Sequence, residues 1–131
     1  YVLTEASTGS PEVILIGTGS EVQLAVSARE VLEAEGIPTR VVSMPCVEFF
    51  DQQDADYRES VLPRSVRARV SVEAGVAMPW YRFLGDAGRA VSLEHFGASA
   101  PYQKLYEEFG ITADAVVAAA RDSLAAVTGE V

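Results

Sequence analysis

A short apolar run that ends in a glycine-containing turn and leads into a helix constrains the fold of this chain most. Residues 13–16 read Val-Ile-Leu-Ile, and the turn Gly17-Thr18-Gly19-Ser20 follows directly. A continuous apolar run of this length is typical of a strand buried on both faces of a parallel sheet. The helix after the turn is predicted to begin at Ser20 as N-cap and to run to about Glu35. Its apolar stripe consists of Leu24, Ala25, Ala28, Val31 and Leu32.

Strand-like and helix-like segments then alternate along the rest of the chain. Strands are predicted at residues 39–44, 67–73 and 89–93, which are apolar or alternating runs bounded by proline, glycine or turn residues. Helices are predicted at residues 54–61 and 101–109 and in a last segment that Thr112 caps, and residues 79–84 are predicted to form a short helix or turn. This alternation predicts an α/β fold, a three-layer αβα domain with a mostly parallel sheet of about five strands. We expect residues 1–131 to form a single domain.

Charge and residue usage exclude several classes of partner. Ten basic and 19 acidic residues give a net charge of −9, which repels phosphate backbones, so no nucleic-acid partner is expected. No apolar run approaches the ~20 residues of a membrane helix, so no membrane partner is expected either. Cys46 is the single cysteine, which fits a reducing cytoplasm. The chain opens at Tyr1 without methionine or a signal-like segment, and we expect it to be a piece of a longer protein.

The turn at the end of the first buried strand is a candidate anion site. Gly17, Thr18, Gly19 and Ser20 lie where free helix amides and the helix dipole attract negative charge. The turn lacks the third glycine of a dinucleotide fingerprint, and no Lys-Ser/Thr pair of a P-loop follows it. A tight strand-to-helix turn explains the same residues, and both interpretations stay open.

Arginine and aromatic residues mark two candidate surfaces. Arg64, Arg67 and Arg69 form a basic cluster that fits a clamp for phosphate or for a partner's carboxylates, and also a subunit interface or a solvated edge strand. Trp80 and Phe83 belong to an aromatic group that fits an exposed docking patch, an interface or the core.

Candidate catalytic residues are few. Glu73 ends a predicted strand, at the edge where open α/β sheets bind ligands, but neither a second acid nor a histidine accompanies it. His95 is the only histidine, so a zinc site lacks ligands, and a pair with Cys46 has no support in the sequence. The patterns therefore predict no catalytic, cofactor-binding or metal-binding residue.

Seven segments, taken in order, resemble one family. They are Gly17–Val22, Arg40–Pro45, Phe50–Asp54, Tyr57–Pro63, Val72–Gly75, Phe96–Pro101 and Glu108–Gly110. Together they resemble the C-terminal domain of bacterial-type transketolases, over essentially the whole chain from Tyr1 to the last helix. That family moves a two-carbon ketol unit between sugar phosphates in the pentose phosphate pathway.

The resemblance implies a parent homodimer that binds thiamine diphosphate and a divalent metal, Mg, outside this domain. It carries over no catalytic or cofactor residue onto this chain, which has no asparagine for the family's cofactor signature and only one histidine. The implied partners are the upstream domains and a second subunit, and the implied role is structural support and dimer contact. Two alternatives remain: anion sensing through the turn at residues 17–20, and partner docking as in 2-oxoacid dehydrogenase β subunits.

Overall fold

The computed structural model describes residues 1–73, 80–92 and 111–129. Strands and helices alternate over most of this part of the chain, as the sequence predicts. In chain order the elements are β1 (Val2–Thr4), β2 (Val13–Gly17), a 3₁₀ turn (Gly19–Glu21), α1 (Val22–Ala34), β3 (Thr39–Ser43), α2 (Val47–Asp51), α3 (Ala55–Val61), β4 (Arg69–Glu73), α4 (Tyr81–Leu84), β5 (Arg89–Ser92) and α5 (Ala113–Thr128).

The five strands form one sheet in the order β1-β3-β2-β4-β5. Strands β2, β3, β4 and β5 run parallel, with Leu15 opposite both Val41 and Val70. Strand β1 alone runs antiparallel, along the outer edge of β3. Three residues are too few to show the periodicity of a strand. Pairing with β3 holds β1 in place, and next to it the Tyr1 ammonium donates to the Ser43 carbonyl at 2.7 Å. The mostly parallel five-stranded sheet confirms the predicted fold class.

Helices cover both faces of the sheet, which gives the predicted three layers. Val13 through Ile16 are all fully buried, so β2 is enclosed on both sides. Alternate strand residues point to opposite faces. One face packs against α1 and α5 through a core that consists mainly of Val13, Leu15, Val41, Val70, Val72, Ala25, Ala28, Leu32, Val116 and Ala120. The other face packs against α2, α3 and α4 through Ile14, Ile16, Val42, Met44, Phe50, Val61, Leu62, Trp80, Phe83 and Leu84.

The start of α1 differs from the sequence prediction. A 3₁₀ turn precedes the helix, which begins at Val22, and Ser20 is not its N-cap. The Ser20 hydroxyl donates to the Glu21 carboxylate at 3.3 Å. The predicted apolar stripe is also too wide, because Val31 is 43% exposed whereas Ala28 and Leu32 are buried. Turn geometry and tertiary packing, rather than helical spacing alone, decide these positions.

The other helix boundaries follow local signals. The Thr112 hydroxyl accepts a hydrogen bond from the Ala115 amide at 3.1 Å, so the predicted cap of α5 is confirmed. Asp54 caps α3 in the same way, accepting from the Tyr57 amide at 2.8 Å. Gly36, with φ of +82°, ends α1 in a left-handed conformation. The helix predicted at residues 101–109 lies outside the described residues.

Candidate functional site

The turn that follows β2 uses its glycines for close packing and backbone geometry. A Cβ on Gly17 would lie 3.0 Å from the Val22 Cα, so α1 approaches the end of β2 too closely for a side chain there. Gly19 adopts a φ of +59°, which favours glycine. Both glycines therefore have structural reasons that do not involve a ligand.

A carboxylate already lies at this turn. Glu21 is only 7% exposed, and its Oε2 lies 3.3 Å from the Ser20 hydroxyl oxygen. A Cβ on Gly19 would lie 3.4 Å from the same carboxylate oxygen. Because the packing of Gly17 and the positive φ of Gly19 explain the glycines without a ligand, the geometry favours the tight-turn interpretation of Gly17, Thr18, Gly19 and Ser20. Anion binding at this turn stays a prediction.

A cleft of about 410 Å³ lies at the carboxyl ends of β2, β3 and β4. The residues that matter in it are Thr18, Cys46, Glu48, Glu73, Trp80 and Arg82. The Trp80 indole N–H donates to the Glu73 carboxylate, and the Cys46 thiol donates to Glu48 at 3.2 Å. Hydrogen bonds from its own backbone amide and from this thiol lower the pKa of Glu48. The structure thus gives both acids partners from this chain.

No metal centre is found in the part of the chain that the structure describes. Within residues 1–73, 80–92 and 111–129, no three His, Cys, Asp or Glu side chains come together to hold an ion. His95 lies outside these ranges, so its relation to Cys46 is not described. None of the helices in the same ranges is long and apolar enough to cross a membrane.

The structure separates the three clustered arginines. Strand β4 begins at Arg69 rather than residue 67 and lies between β2 and β5, so the edge-strand interpretation is wrong. The Arg69 guanidinium is turned inward and donates to the carbonyls of Leu62, Pro63, Val66 and Phe83. The Arg64 side chain is 96% exposed, and Arg67 is exposed. Of the three arginines, Arg64 and Arg67 are exposed and Arg69 is half-buried, and their role in an interface stays a prediction.

Trp80 and Phe83 of the aromatic group do not lie at the surface. Trp80 is 3% exposed and Phe83 is 8% exposed, and their ring centroids lie 6.1 Å apart in the second core. A docking patch built on Trp80 and Phe83 is therefore wrong, because packing against the sheet has already buried both rings. Phe49 and Tyr81 are exposed, with 65% and 59% of their surface accessible.

The fold brings two further arginines, distant in sequence, close to Arg64 and Arg69. Arg58 on α3 and Arg82 on α4 line the same cavity of about 390 Å³, between these helices and the segment before β4. The Arg82 guanidinium binds the Asp51 carboxylate through both terminal nitrogens, at 2.9 and 2.6 Å. These hydrogen bonds are the main cause that lowers the pKa of Asp51 and raises that of Arg82. Residues 58 and 82 come from separate elements, so no local pattern reveals the cluster.

Comparison with known proteins identifies the family. A family model described as the transketolase-like TK C-terminal domain matches residues 1–112. Transketolase 1 of Escherichia coli K12 is 57% identical over 124 residues, which cover 95% of this chain and 19% of that protein. The chloroplastic transketolase of Solanum tuberosum is 57% identical over 122 residues, covering 92% of this chain and 16% of that protein. The chain therefore spans less than a fifth of these curated relatives.

Solved structures agree with this assignment. Transketolase from Leishmania mexicana superimposes with a TM-score of 0.86 at 41% identity, over 95% of this chain and 18% of that one. A split-gene transketolase, described as an inactive beta4 tetramer, superimposes with a TM-score of 0.66 at 25% identity, over 95% of this chain and 41% of that one. The family model, the sequence identities and the shared fold show that the chain belongs to the transketolase family, as its C-terminal domain.

Proposed function

We propose that this chain is a non-catalytic domain of a transketolase, which supports the catalytic domains and contributes to the dimer contact. The observation that carries the proposal is the alignment of 95% of the chain with only 19% of a full-length transketolase at 57% identity. The parent enzyme would transfer a two-carbon ketol unit between sugar phosphates. Its thiamine diphosphate and divalent metal would be held by domains outside this one.

The donor set of the described residues does not fit that cofactor. Glu73 and Glu48, the acids of the carboxyl-edge cleft, are held by the Trp80 indole and the Cys46 thiol. A bound diphosphate would face these two carboxylates, and the cation among the described residues that line the cleft is Arg82, which Asp51 already pairs. We therefore assign no step of ketol transfer to these residues.

Neither alternative function gains support from the geometry. Partner docking through Trp80 and Phe83 would require rings that are in fact buried. Anion sensing through the turn at residues 17–20 would bring a ligand beside the Glu21 carboxylate. Structural support requires neither feature, since a scaffold domain needs a stable core and an outer surface.

The split-gene relative supports the proposal that association and catalysis belong to different domains. That chain, which is described as an inactive beta4 tetramer, contains the fold of this domain. It is consistent with a domain that associates without catalysing. We also infer a cytoplasmic location, as for a bacterial enzyme with one unpaired cysteine, although the relative from Solanum tuberosum is chloroplastic.

A domain exchange in a known transketolase tests the proposal. The segment of Escherichia coli transketolase 1 that matches this chain is replaced by residues 1–131, and the unmodified enzyme and a variant lacking the segment serve as controls. Ketol transfer from a ketose phosphate to an aldose phosphate is measured together with sedimentation velocity. We expect the chimera to be active and dimeric, and the deletion variant to lose dimer stability.

Two outcomes would overturn the proposal. Thiamine-diphosphate-dependent transfer by the isolated chain would show that the domain carries its own active site. A deletion variant with the dimer affinity and the activity of the unmodified enzyme would show that the domain supports neither.

A further inference from the structure

A concave basic surface lies on the α3 and α4 side of the molecule and shares Arg82 with the cleft at the carboxyl ends of the strands. We call it the arginine groove and define it by Arg58, Arg64, Arg69 and Arg82, which line a cavity of about 390 Å³. An adjoining cavity of about 180 Å³ shares Arg64, Arg69 and Arg82 and adds Arg67. The apolar part of the lining is formed by Phe50, Leu62 and Phe83.

The charge of the groove opposes that of the whole chain. The chain carries nine arginines, one lysine and a net charge of −9, yet five of the arginines line these two cavities. Three acids accompany them: Asp51, Glu59 and Asp86. Half of the basic residues are thus gathered at one place where they outnumber the acids. This concentration creates a local positive potential on an otherwise acidic protein.

Arg69 is a fixed cation at the inner wall of the groove. Four carbonyl oxygens accept hydrogen bonds from its guanidinium at 2.7 to 3.2 Å. Carbonyls satisfy its donors without neutralising its charge, and desolvation by burial lowers its pKa. An anion in the groove would stabilise this charged form.

Arg58 and Arg64 can reach an anion at the mouth of the groove. Arg64 is almost fully exposed, and its Nε forms an ion pair with Glu59 Oε1 at 3.4 Å. The Glu59 carboxylate is anchored by the Arg64 backbone amide at 2.8 Å, so a ligand would compete with it only for the guanidinium, where an exposed ion pair contributes little. Arg58 is exposed on α3. Arg82 is already held by Asp51 and packs 4.4 Å above the Phe83 ring, so it adds charge rather than free donors.

We propose that the arginine groove binds a phosphate group, free or as a small phosphate monoester, with Arg58 and Arg64 as its direct ligands. Guanidinium groups match the oxygens of phosphate in paired hydrogen bonds. A doubly charged phosphate can accept from two guanidiniums at once, whereas a single carboxylate neutralises one. The concave shape fits a small anion better than it fits a flat protein surface.

Titration of the nitrogen-15-labelled 131-residue chain with inorganic phosphate tests the proposal. Side-chain Nε–Hε and backbone amide signals are followed at constant ionic strength, with chloride as the matched salt and glycerol phosphate as the monoester. We expect saturable shifts at Arg58 and Arg64. The double variant Arg58→Gln/Arg64→Gln should bind roughly tenfold more weakly, because two charge-assisted contacts are lost.

Arg121→Gln is the matched control. Arg121 is an exposed arginine of α5 that pairs with Glu35 on the other side of the sheet, and its removal should leave phosphate affinity unchanged. Shifts that chloride reproduces, or that both variants weaken equally, would overturn the proposal in favour of a general charge effect. Binding of a glutamate-rich peptide but not of either phosphate would overturn it in favour of a protein partner. Stronger binding of glycerol phosphate than of phosphate would identify a monoester as the ligand.

Discussion

Arg40 shows how one residue can connect three separate parts of this domain. It lies within β3 and is 7% exposed, although it carries a full charge. Its Nε and Nη2 donate to the Glu5 carboxylate at 2.9 Å, and its Nη1 donates to the carbonyls of Ser60 and Val61 at 2.9 and 3.0 Å. The side chain therefore links the N-terminal segment, the sheet and the end of α3.

We expect Arg40→Gln to lower the free energy of unfolding by about 2 kcal/mol, because the variant leaves buried carbonyls without donors. The partial exposure of Glu5 keeps the loss below that of a fully buried ion pair. Urea unfolding followed by circular dichroism measures the change. Arg64→Gln, at a side chain 96% exposed, should cost less than about 0.5 kcal/mol. Equal losses in the two variants would refute the role given to Arg40.

Glu33 should make the stability of the domain depend on pH. Its carboxylate accepts from the Ser7 hydroxyl at 2.6 Å, the Thr39 amide at 2.9 Å and the Ser7 amide at 3.1 Å, with the hydroxyl contributing most. These bonds lower the pKa of Glu33 from 4.5 to about 2. Because the folded state favours the ionised form, the stabilisation is complete above pH 4.5 and is lost as the pH falls toward about 2.

The variant Glu33→Gln should flatten the change of the urea midpoint with pH in that window. Glu30→Gln, at an exposed position of the same helix, is the control and should keep the slope of the unmodified chain. The urea midpoints are measured at several pH values between 5 and 2. If Glu33→Gln leaves the slope of midpoint against pH unchanged, other carboxylates cause the acid sensitivity.

At the scale of elements, α5 contributes to the first core and anchors β4. Ser123, fully buried on α5, accepts from the Arg69 amide at 3.1 Å and donates to the Ala87 carbonyl at 2.6 Å. Val116 and Ala120 of the same helix pack on the sheet. The stability of α5 is therefore coupled to that of the whole domain.

Thr112→Ala should destabilise the domain by about 1 kcal/mol, because the Ala115 amide at the start of α5 loses its acceptor. Thr128→Ala provides a matched control in the last turn, where the exposed hydroxyl donates to the Leu124 carbonyl. That change should stay within about 0.5 kcal/mol. Thermal unfolding of both variants shows whether the stability loss comes from the missing cap or from removing a threonine in general. A larger loss for Thr128→Ala than for Thr112→Ala would contradict the capping role.

Element existence was predictable wherever a local signal is strong. The buried run of β2 and the cap Thr112 both act within a few residues, so their structural consequences can be predicted from sequence. Strand β1 could not be predicted from residue patterns, because its three residues form a strand only by pairing with β3. The start of α1 was misplaced because Gly19–Glu21 forms a tighter turn than the capping pattern implied.

At the scale of the whole molecule, the net charge of −9 should oppose compaction. Raising NaCl from about 0.02 M to about 0.3 M shortens the screening length and should raise the urea midpoint. KCl is the control for specific ion effects and should act equally. A midpoint that falls with salt would mean that ion pairs such as Arg82–Asp51 outweigh the repulsion among the acids.

The candidate site also depends on the whole molecule. Arg64, Arg67 and Arg69 are close together in the sequence, but in the fold the Arg69 side chain turns inward. Arg58 and Arg82, which lie on two helices, complete the cluster. Likewise, Trp80 has the chemistry of either a surface anchor or a core residue. Its burial follows only from how α4 covers the second face of the sheet.

The sequence by itself determined the class of fold, the main strands and the family, because hydrophobic periodicity, caps and ordered motifs are local properties. The tertiary structure alone decided the order of the strands, the antiparallel edge, the burial of Trp80 and the convergence of the arginines. The physical reason is that burial and charge proximity depend on which elements pack together over long sequence separations. Spacing along the chain does not encode that packing.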